Sequence, residues 1–336
     1  MKLKIGILIA LVCFIISCKP SKKEAKVRKE VAIEKSSVKF TYQKITGVGV
    51  DTVHNRRDNS DIIKVDDTYY MWYTRMDSPV TSGYWGTIWY ATSQDEGHTW
   101  KEQGMALDLG KEGTFDSHSV FTPNILVHNS KYYLYYTGVK PTPGNEKKEF
   151  EGNSTTDITA IGLAVSDSPN GPFVRVENNP VLEISTVASD FDSFRIDDAS
   201  LLVRDDKIWL FYKGRSIIDG TKGPSRTKMS VAYADKPDGH FKKHKGYLLD
   251  KSHEVLIWQK DGGIASLASI NATINYAKDG EHYSVLQDSL KRIPKAPGLY
   301  RPHLEEGHLK TEVPGWGISM IQKKGFAYLV RFEMKE

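Results

Sequence analysis

The chain has 336 residues, with 46 Lys and Arg against 42 Asp and Glu, 10 His and 2 Cys. Hydrophobic residues at 39% and charged residues at 26% describe a globular body and exclude collagenous, disordered and disulfide-built classes. The formal net charge of +4 sits at the N-terminus: Lys2 and Lys4 precede the first apolar run, and residues 19–35 hold seven basic and three acidic side chains. What remains is slightly acidic, so no nucleic-acid partner is expected.

In chain order, Met1-Lys-Leu-Lys4 reads as a basic leader head, and residues 5–16 form an apolar run too short to span a bilayer. The run ends in Ile15-Ile16-Ser17-Cys18, which resembles a bacterial lipobox. Residues 1–18 are therefore expected to be a lipoprotein signal peptide, with Cys18 as the acylated residue. Residues 19–37 are expected to be a flexible charged tether and residues 38–336 the folded domain. A lipid bilayer, reached through acylated Cys18, is then a partner, and the bacterial cell envelope is the expected location.

One pattern recurs at residues 58–74, 122–137 and 198–213. Each copy has a polar head, an aliphatic strand, a polar turn (Asp66-Asp67, Asn129-Ser130, Asp205-Asp206) and an aromatic strand, and is predicted to be a β-hairpin. A second element follows each hairpin. Ser93-Gln-Asp-Glu-Gly-His-Thr-Trp100 resembles the Asp-box turn of sialidase-type propellers, with looser versions at 163–173, 231–241 and 275–283. Two hairpins make a four-stranded unit. A fourth unit fits residues 254–286, and a fifth fits 317–321 with 326–332, completed by an N-terminal strand near 38–45. The predicted fold is all-β: a five-bladed β-propeller with four-stranded antiparallel blades, favoured over a β-sandwich by the regular two-hairpin unit.

In a propeller the innermost strand of each blade starts near one mouth of the central channel. The heads Asp58, Thr122 and Asp198 are therefore predicted to converge, and two facing carboxylates can act as a base and its pKa-tuning partner. Arg57 beside Asp58, and Arg195 near Asp197 and Asp198, would keep carboxylates ionised; an arginine fork also holds sugar hydroxyls or an anionic substituent. The pair His253-Glu254 opens the fourth unit and adds a second proton carrier, with His118 and His303 as rivals. No Cys-x-x-Cys spacing occurs, and no catalytic metal and no cofactor are expected; a structural divalent cation in the channel stays open.

These motifs resemble the glycosidase clan of families 43 and 32. The strings His54-Asn-Arg-Arg-Asp-Asn-Ser-Asp61, Thr87-Ile-Trp-Tyr-Ala-Thr-Ser93, Ser119-Val-Phe-Thr-Pro-Asn-Ile-Leu126, Phe194-Arg-Ile-Asp-Asp-Ala-Ser200, Tyr212-Lys-Gly-Arg215 and His253-Glu-Val255 are similar to glycoside hydrolase family 117. The resemblance implies an exo-acting, inverting enzyme that releases a terminal 3,6-anhydro-galactose unit from red-algal neoagaro-oligosaccharides. Carried over by position, it implies Asp58 as general base, Asp198 as the supporting, pKa-tuning carboxylate and His253 as general acid. The implied substrate-binding residues are Glu254, Arg57, Asn55, Thr122, Asn124, Asp197, Arg195, Trp258 and His303, with Trp85, Trp89 and Trp316 as further sugar platforms. The family's swapped helical arm has no counterpart here, which leaves a homodimer open; residues 140–157 and 297–317 depart from its pattern. The same motifs also admit a family-43-like arabinosidase or xylosidase, or a noncatalytic glycan-binding lipoprotein.

Overall fold

A computed structural model describes residues 38–76, 86–140, 158–302, 315–323 and 325–335. Cys18 and the expected leader and tether lie outside these residues, as do Trp85, His303 and residues 141–157.

The described residues form twenty-one strands and one 3-10 helix, Ile217–Arg226. The first group is β1 (Lys39–Lys44), β2 (Asn55–Arg57), β3 (Ile62–Val65), β4 (Thr68–Met76), β5 (Thr87–Ser93) and β6 (Lys101–Leu107). Next come β7 (Ser119–His128), β8 (Lys131–Lys140), β9 (Ile158–Ser166) and β10 (Val174–Arg175), then β11 (Arg195–Arg204), β12 (Lys207–Arg215), β13 (Lys228–Ala234) and β14 (Lys242–Lys243). The last are β15 (Leu256–Lys260), β16 (Gly263–Ala268), β17 (Thr273–Ala277), β18 (Ser284–Gln287), β19 (Lys295–Arg301), β20 (Trp316–Lys323) and β21 (Phe326–Lys335). The hairpin turns take the left-handed backbone that Asp, Asn and Ser tolerate: φ is 48° and 59° at Asn129 and Ser130, and 51° and 56° at Asp205 and Asp206.

Strands β7–β10, β11–β14 and β15–β18 each make a four-stranded antiparallel sheet. The rest join one nine-stranded sheet, in which β3-β4-β5-β6 and β19-β20-β21-β1 are antiparallel runs and β2 extends along β4. Among the described residues the two runs pair as strands only through a short parallel contact, Tyr300 with Ile62 and Arg301 with Ile63. The N-terminal strand completes the C-terminal run, from Lys39 opposite Lys335 to Lys44 opposite Val330. Strand β19 is the element that sequence patterning misses. Its Lys-Ala-Pro-Gly-Leu-Tyr-Arg sequence carries Pro and Gly, which break the strand pattern and here accompany a shift of register between Lys295 and Gly298.

The apolar core lies between successive sheets. Trp72 and Ile88 of the first run pack with Val120 and Leu134 of the second sheet. Leu163 and Tyr135 meet Ile196 and Leu210, Phe211 and Val231 meet Ile257 and Ile264, and Leu256 and Leu267 meet Leu299 and Phe332. The series returns to its start, because Ile318 and Leu329 pack with Met71 and Tyr73 of the first run. Each such side chain, fully buried, contributes roughly 1.5–3 kcal/mol. The Asp-box turn forms as expected: Asp95 Oδ1 accepts from Ser93 Oγ and Thr99 N, both at 2.8 Å, and Trp100 Nε1 donates to Gly97 O at 2.9 Å. It anchors the segment after β1, since Thr46 N donates to His98 O and Trp100 N to Thr46 O, each at 3.1 Å.

Candidate active site

The repeat aims its heads by backbone strain. Asp58, Thr122 and Asp198 have φ of 48°, 45° and 56°, and Ala296 at the start of β19 has φ of 40°. The register shifts between Phe121 and Asn124, between Asp197 and Ser200, and between Lys295 and Gly298. Such bulges turn a strand's first side chains out of the ladder. The ladders show the equivalence directly: Arg57, Phe121 and Asp197 lie opposite Thr74, Thr137 and Lys213.

Five dipeptides, Arg57-Asp58, Phe121-Thr122, Asp197-Asp198, His253-Glu254 and Lys295-Ala296, line one cavity of about 260 Å³. Arg195, Lys213, Arg215, Met320 and Gln322 complete its wall. Below it, a chamber of about 30 Å³, room for roughly one water, is enclosed by Asp58, Thr122, Asp198, Val255 and Ala296 with their neighbours. Three of the five head positions therefore carry a carboxylate: Asp58, Asp198 and Glu254.

Each carboxylate has its own partner. Arg57 Nε donates to Asp58 Oδ2 at 2.6 Å. Arg195 Nε donates to Asp197 Oδ2 at 2.7 Å. Lys213 Nζ lies 2.6 Å from Asp198 Oδ2 and 3.6 Å from Asp197 Oδ1. Glu254 Oε2 accepts from Ala296 N at 2.7 Å. Burial alone would raise Asp197, but Lys213, Arg195 and Arg215 hold it below the usual carboxylate range. Asp198 goes the other way: burial raises it, Lys213 opposes, and the charges of Asp197, Glu254 and Asp58 raise it further. Burial also raises Glu254.

The structure brings together Asp58, Asp198, His253, Glu254, Arg57, Thr122, Asp197 and Arg195. The expected protonation of His253 needs correction. Lys213, burial, Arg215 and Arg195 push its imidazole down to about 3, so the ring is neutral at neutral pH, with Nδ1 3.2 Å from Thr227 Oγ1. Asn124 borders the lower chamber as a tie between heads: its Oδ1 accepts from Asp61 N and its Nδ2 donates to Ala199 O. Asn55 is fully buried away from the cavity and accepts from Ala327 N. Trp258 is 2% exposed inside the core, because β15 is covered on both faces, and is no sugar platform. Trp316 stacks on Tyr300 in the core, and Trp89 lies under the Arg75 guanidinium at 3.7 Å. His118 is buried outside the cavity wall. The carboxylates already hold Arg, Lys or a backbone N–H, and among the described residues no group of three or more His, Cys, Asp or Glu is arranged for a metal.

Lys213, Arg215, Lys295 and Met320 were absent from the sequence-derived site. A signal for Lys213 existed: the third copy ends in Lys where the first two end in Thr74 and Thr137. Nothing comparable marked Lys295, whose strand was not recognised.

The sequence pattern of the glycosyl hydrolases family 43 matches residues 52–223. Among solved structures, the chain is similar to Zg3597, a family 117 glycoside hydrolase produced by the marine bacterium Zobellia galactanivorans, at 27% identity and a TM-score of 0.75 over 88% of this chain and 90% of that one. It is similar in fold to a thermostable family-43 glycoside hydrolase, at 16% identity and a TM-score of 0.55, covering 87% and 92% of the two chains. An endo-arabinase from Bacteroides thetaiotaomicron aligns at 14% identity and a TM-score of 0.54, covering 86% and 97%. No curated protein sequence matches the chain.

Proposed function

The chain belongs to the glycosyl hydrolases of family 43, and on that premise we propose that it is an exo-acting, inverting glycosidase releasing a terminal 3,6-anhydro-galactose, or related galactose-type, unit from red-algal galactan oligosaccharides such as neoagarobiose. The observation that carries this reading is the set of three carboxylates at equivalent heads around one cavity. At about 260 Å³ the cavity is smaller than the roughly 300–1,000 Å³ of ordinary ligand pockets, which suits a chain end rather than a chain middle. Similarity to a family 117 enzyme supports the choice of sugar. The same reading takes the sheets as a five-bladed propeller, supported by the closed series of inter-sheet cores.

In this proposal Asp58, kept beside Arg57, takes the proton of a water that attacks the anomeric carbon. The other carboxyl protonates the departing oxygen from the opposite face, across the roughly 6.5–9.5 Å that an inverting pair requires. Asp198 tunes the pair through its charge and its bond to Lys213. The donor belongs to the His253-Glu254 head. Resemblance points to His253; the electrostatics point to its neighbour, since Glu254 holds its proton to higher pH than an ordinary glutamate while His253 is neutral. Incubation with neoagarobiose, followed by NMR of the first-formed anomer, tests the reading. Release of the anhydro sugar with inverted configuration is expected; release of arabinose from arabinan oligosaccharides instead would replace it. We also propose lipid attachment at Cys18 in the cell envelope, supported by the Ile15-Ile16-Ser17-Cys18 string. Incorporation of a palmitate label, lost in Cys18→Ser, tests it.

A further inference from the structure

The cavity holds more positive charge than negative. Arg57, Arg195, Lys213, Arg215 and Lys295 line it together with four carboxylates, Asp58, Asp197, Asp198 and Glu254. Two of those carboxylates, Asp198 and Glu254, sit where burial favours their neutral form, which widens the imbalance. Arg57, Arg195 and Lys213 are committed to internal carboxylates at 2.6, 2.7 and 2.6 Å. Arg215 is 4% exposed, two residues beyond Lys213 on β12 and opposite Arg195.

Lys295 differs from the other four. It is exposed at the rim, and its Nζ has no hydrogen bond or ion pair among the described residues. Its backbone is nevertheless fixed: Lys295 N donates to Ser319 Oγ at 2.9 Å, and Ser319 Oγ donates to Lys295 O at 3.0 Å. An ammonium without a partner among the described residues thus projects from an anchored point at the cavity edge. Deeper in the wall, Lys213, burial, Arg215 and Arg195 lower the His253 ring despite the nearby Asp197.

Hydroxyl groups of a neutral sugar need hydrogen-bond donors but no net positive charge. A cation left unmatched by the cavity's own carboxylates is matched by an oxyanion, to which charge-assisted hydrogen bonds form. We infer that the sugar unit seated here carries an oxyanion substituent, a sulfate ester or a carboxylate, contacted by Lys295 at the rim and favoured by the field of Arg215 in the wall. This rests on the glycosidase reading and narrows its substrate class.

The test separates the two. Binding is measured by calorimetry on the full-length Asp58→Asn variant, so that turnover plays no part, with three disaccharides matched except at the terminal unit: neutral, sulfated and carboxylated. At least one charged ligand is expected to bind about tenfold tighter than the neutral one, the strength of a single charge-assisted contact. That advantage should shrink as salt rises and in Lys295→Gln. The tighter of the two charged ligands identifies the substituent. Equal or weaker binding of both charged ligands, or an advantage untouched by Lys295→Gln, overturns the inference. Hydrolysis of the neutral disaccharide by the unaltered enzyme reports on the glycosidase reading separately.

Discussion

Lys213 Nζ lies 2.6 Å from Asp198 Oδ2, at the position where the earlier copies of the repeat carry Thr74 and Thr137. Both threonines hold the second head: Thr122 N donates to Thr74 Oγ1 at 3.0 Å, and Thr122 Oγ1 is 2.5 Å from Thr137 Oγ1. Replacing that hydroxyl by an ammonium in the third copy turns a structural repeat position into a source of charge. It is the largest influence lowering His253 and the main opponent of protonation at Asp198.

Lys213→Met should therefore do two things. It leaves Asp197 and Asp198 with less counter-charge in a buried site, at a cost of about 3 kcal/mol. It also raises the pKa of His253 and raises Asp198 further, which shifts the pH–rate profile to higher pH. Denaturant titration and histidine NMR check the two effects; an unchanged profile with lost stability would reduce Lys213 to a structural role.

Asp58→Asn should remove hydrolysis by about 10²–10⁴-fold or more, the usual contribution of a positioned base. The fold should survive, because Asn tolerates the φ of 48° found there. Turnover and thermal melting of the variant are the measurements. Residual activity near the unaltered level would remove Asp58 from the base role.

The proton donor can be identified by leaving group. An activated aryl glycoside needs little protonation of the departing oxygen. Glu254→Gln should lose about 10²–10⁴-fold on the disaccharide but far less on the aryl substrate. His253→Gln should lose similar factors on both. The reverse pattern would return the donor role to His253.

Stability should depend on pH with opposing contributions. His253 is lowered to about 3 on folding, so from about pH 6.5 downwards the unfolded chain takes up a proton the folded one refuses, and stability falls. Asp198 is raised, so folding gains from protonation as pH drops below neutrality, which offsets His253 in the mildly acidic range. Below about pH 3.9 the signs agree. Asp197 is lowered by its cations, and Asp51 is lowered to about 2 by Val53 N, Arg56 and His54 N against its burial. Both then lose their stabilisation as the unfolded chain protonates first. Denaturation midpoints should change little from pH 7 to 5 and drop steeply from pH 4 to 2.

Gly298→Ala should loosen the meeting of the first and last runs. A Cβ there would stand 1.8 Å from Ser60 O, so the backbone after Asp58 must move. Overpacking of this kind costs about 1–3 kcal/mol. A lower melting temperature together with reduced kcat would show that the head of β19 helps position Asp58; a lower melting temperature with unchanged kcat would confine it to packing.

Local chemistry was legible in the sequence by itself. Turn residues that accept positive φ, aliphatic and aromatic strands on either side, and three copies of one unit determined the strands, the hairpins and the heads Asp58, Thr122 and Asp198, because these depend on neighbours within a few residues. Tertiary structure alone decided what depends on partners far along the chain. It decided that Trp258 faces core rather than sugar, since a strand covered on both faces has no alternation to read. It decided that Pro297 and Gly298 sit in a strand paired with Trp316–Lys323. And it decided that His253 is neutral, since the charges of Lys213, Arg195 and Arg215 reach the ring only once the sheets meet around one cavity.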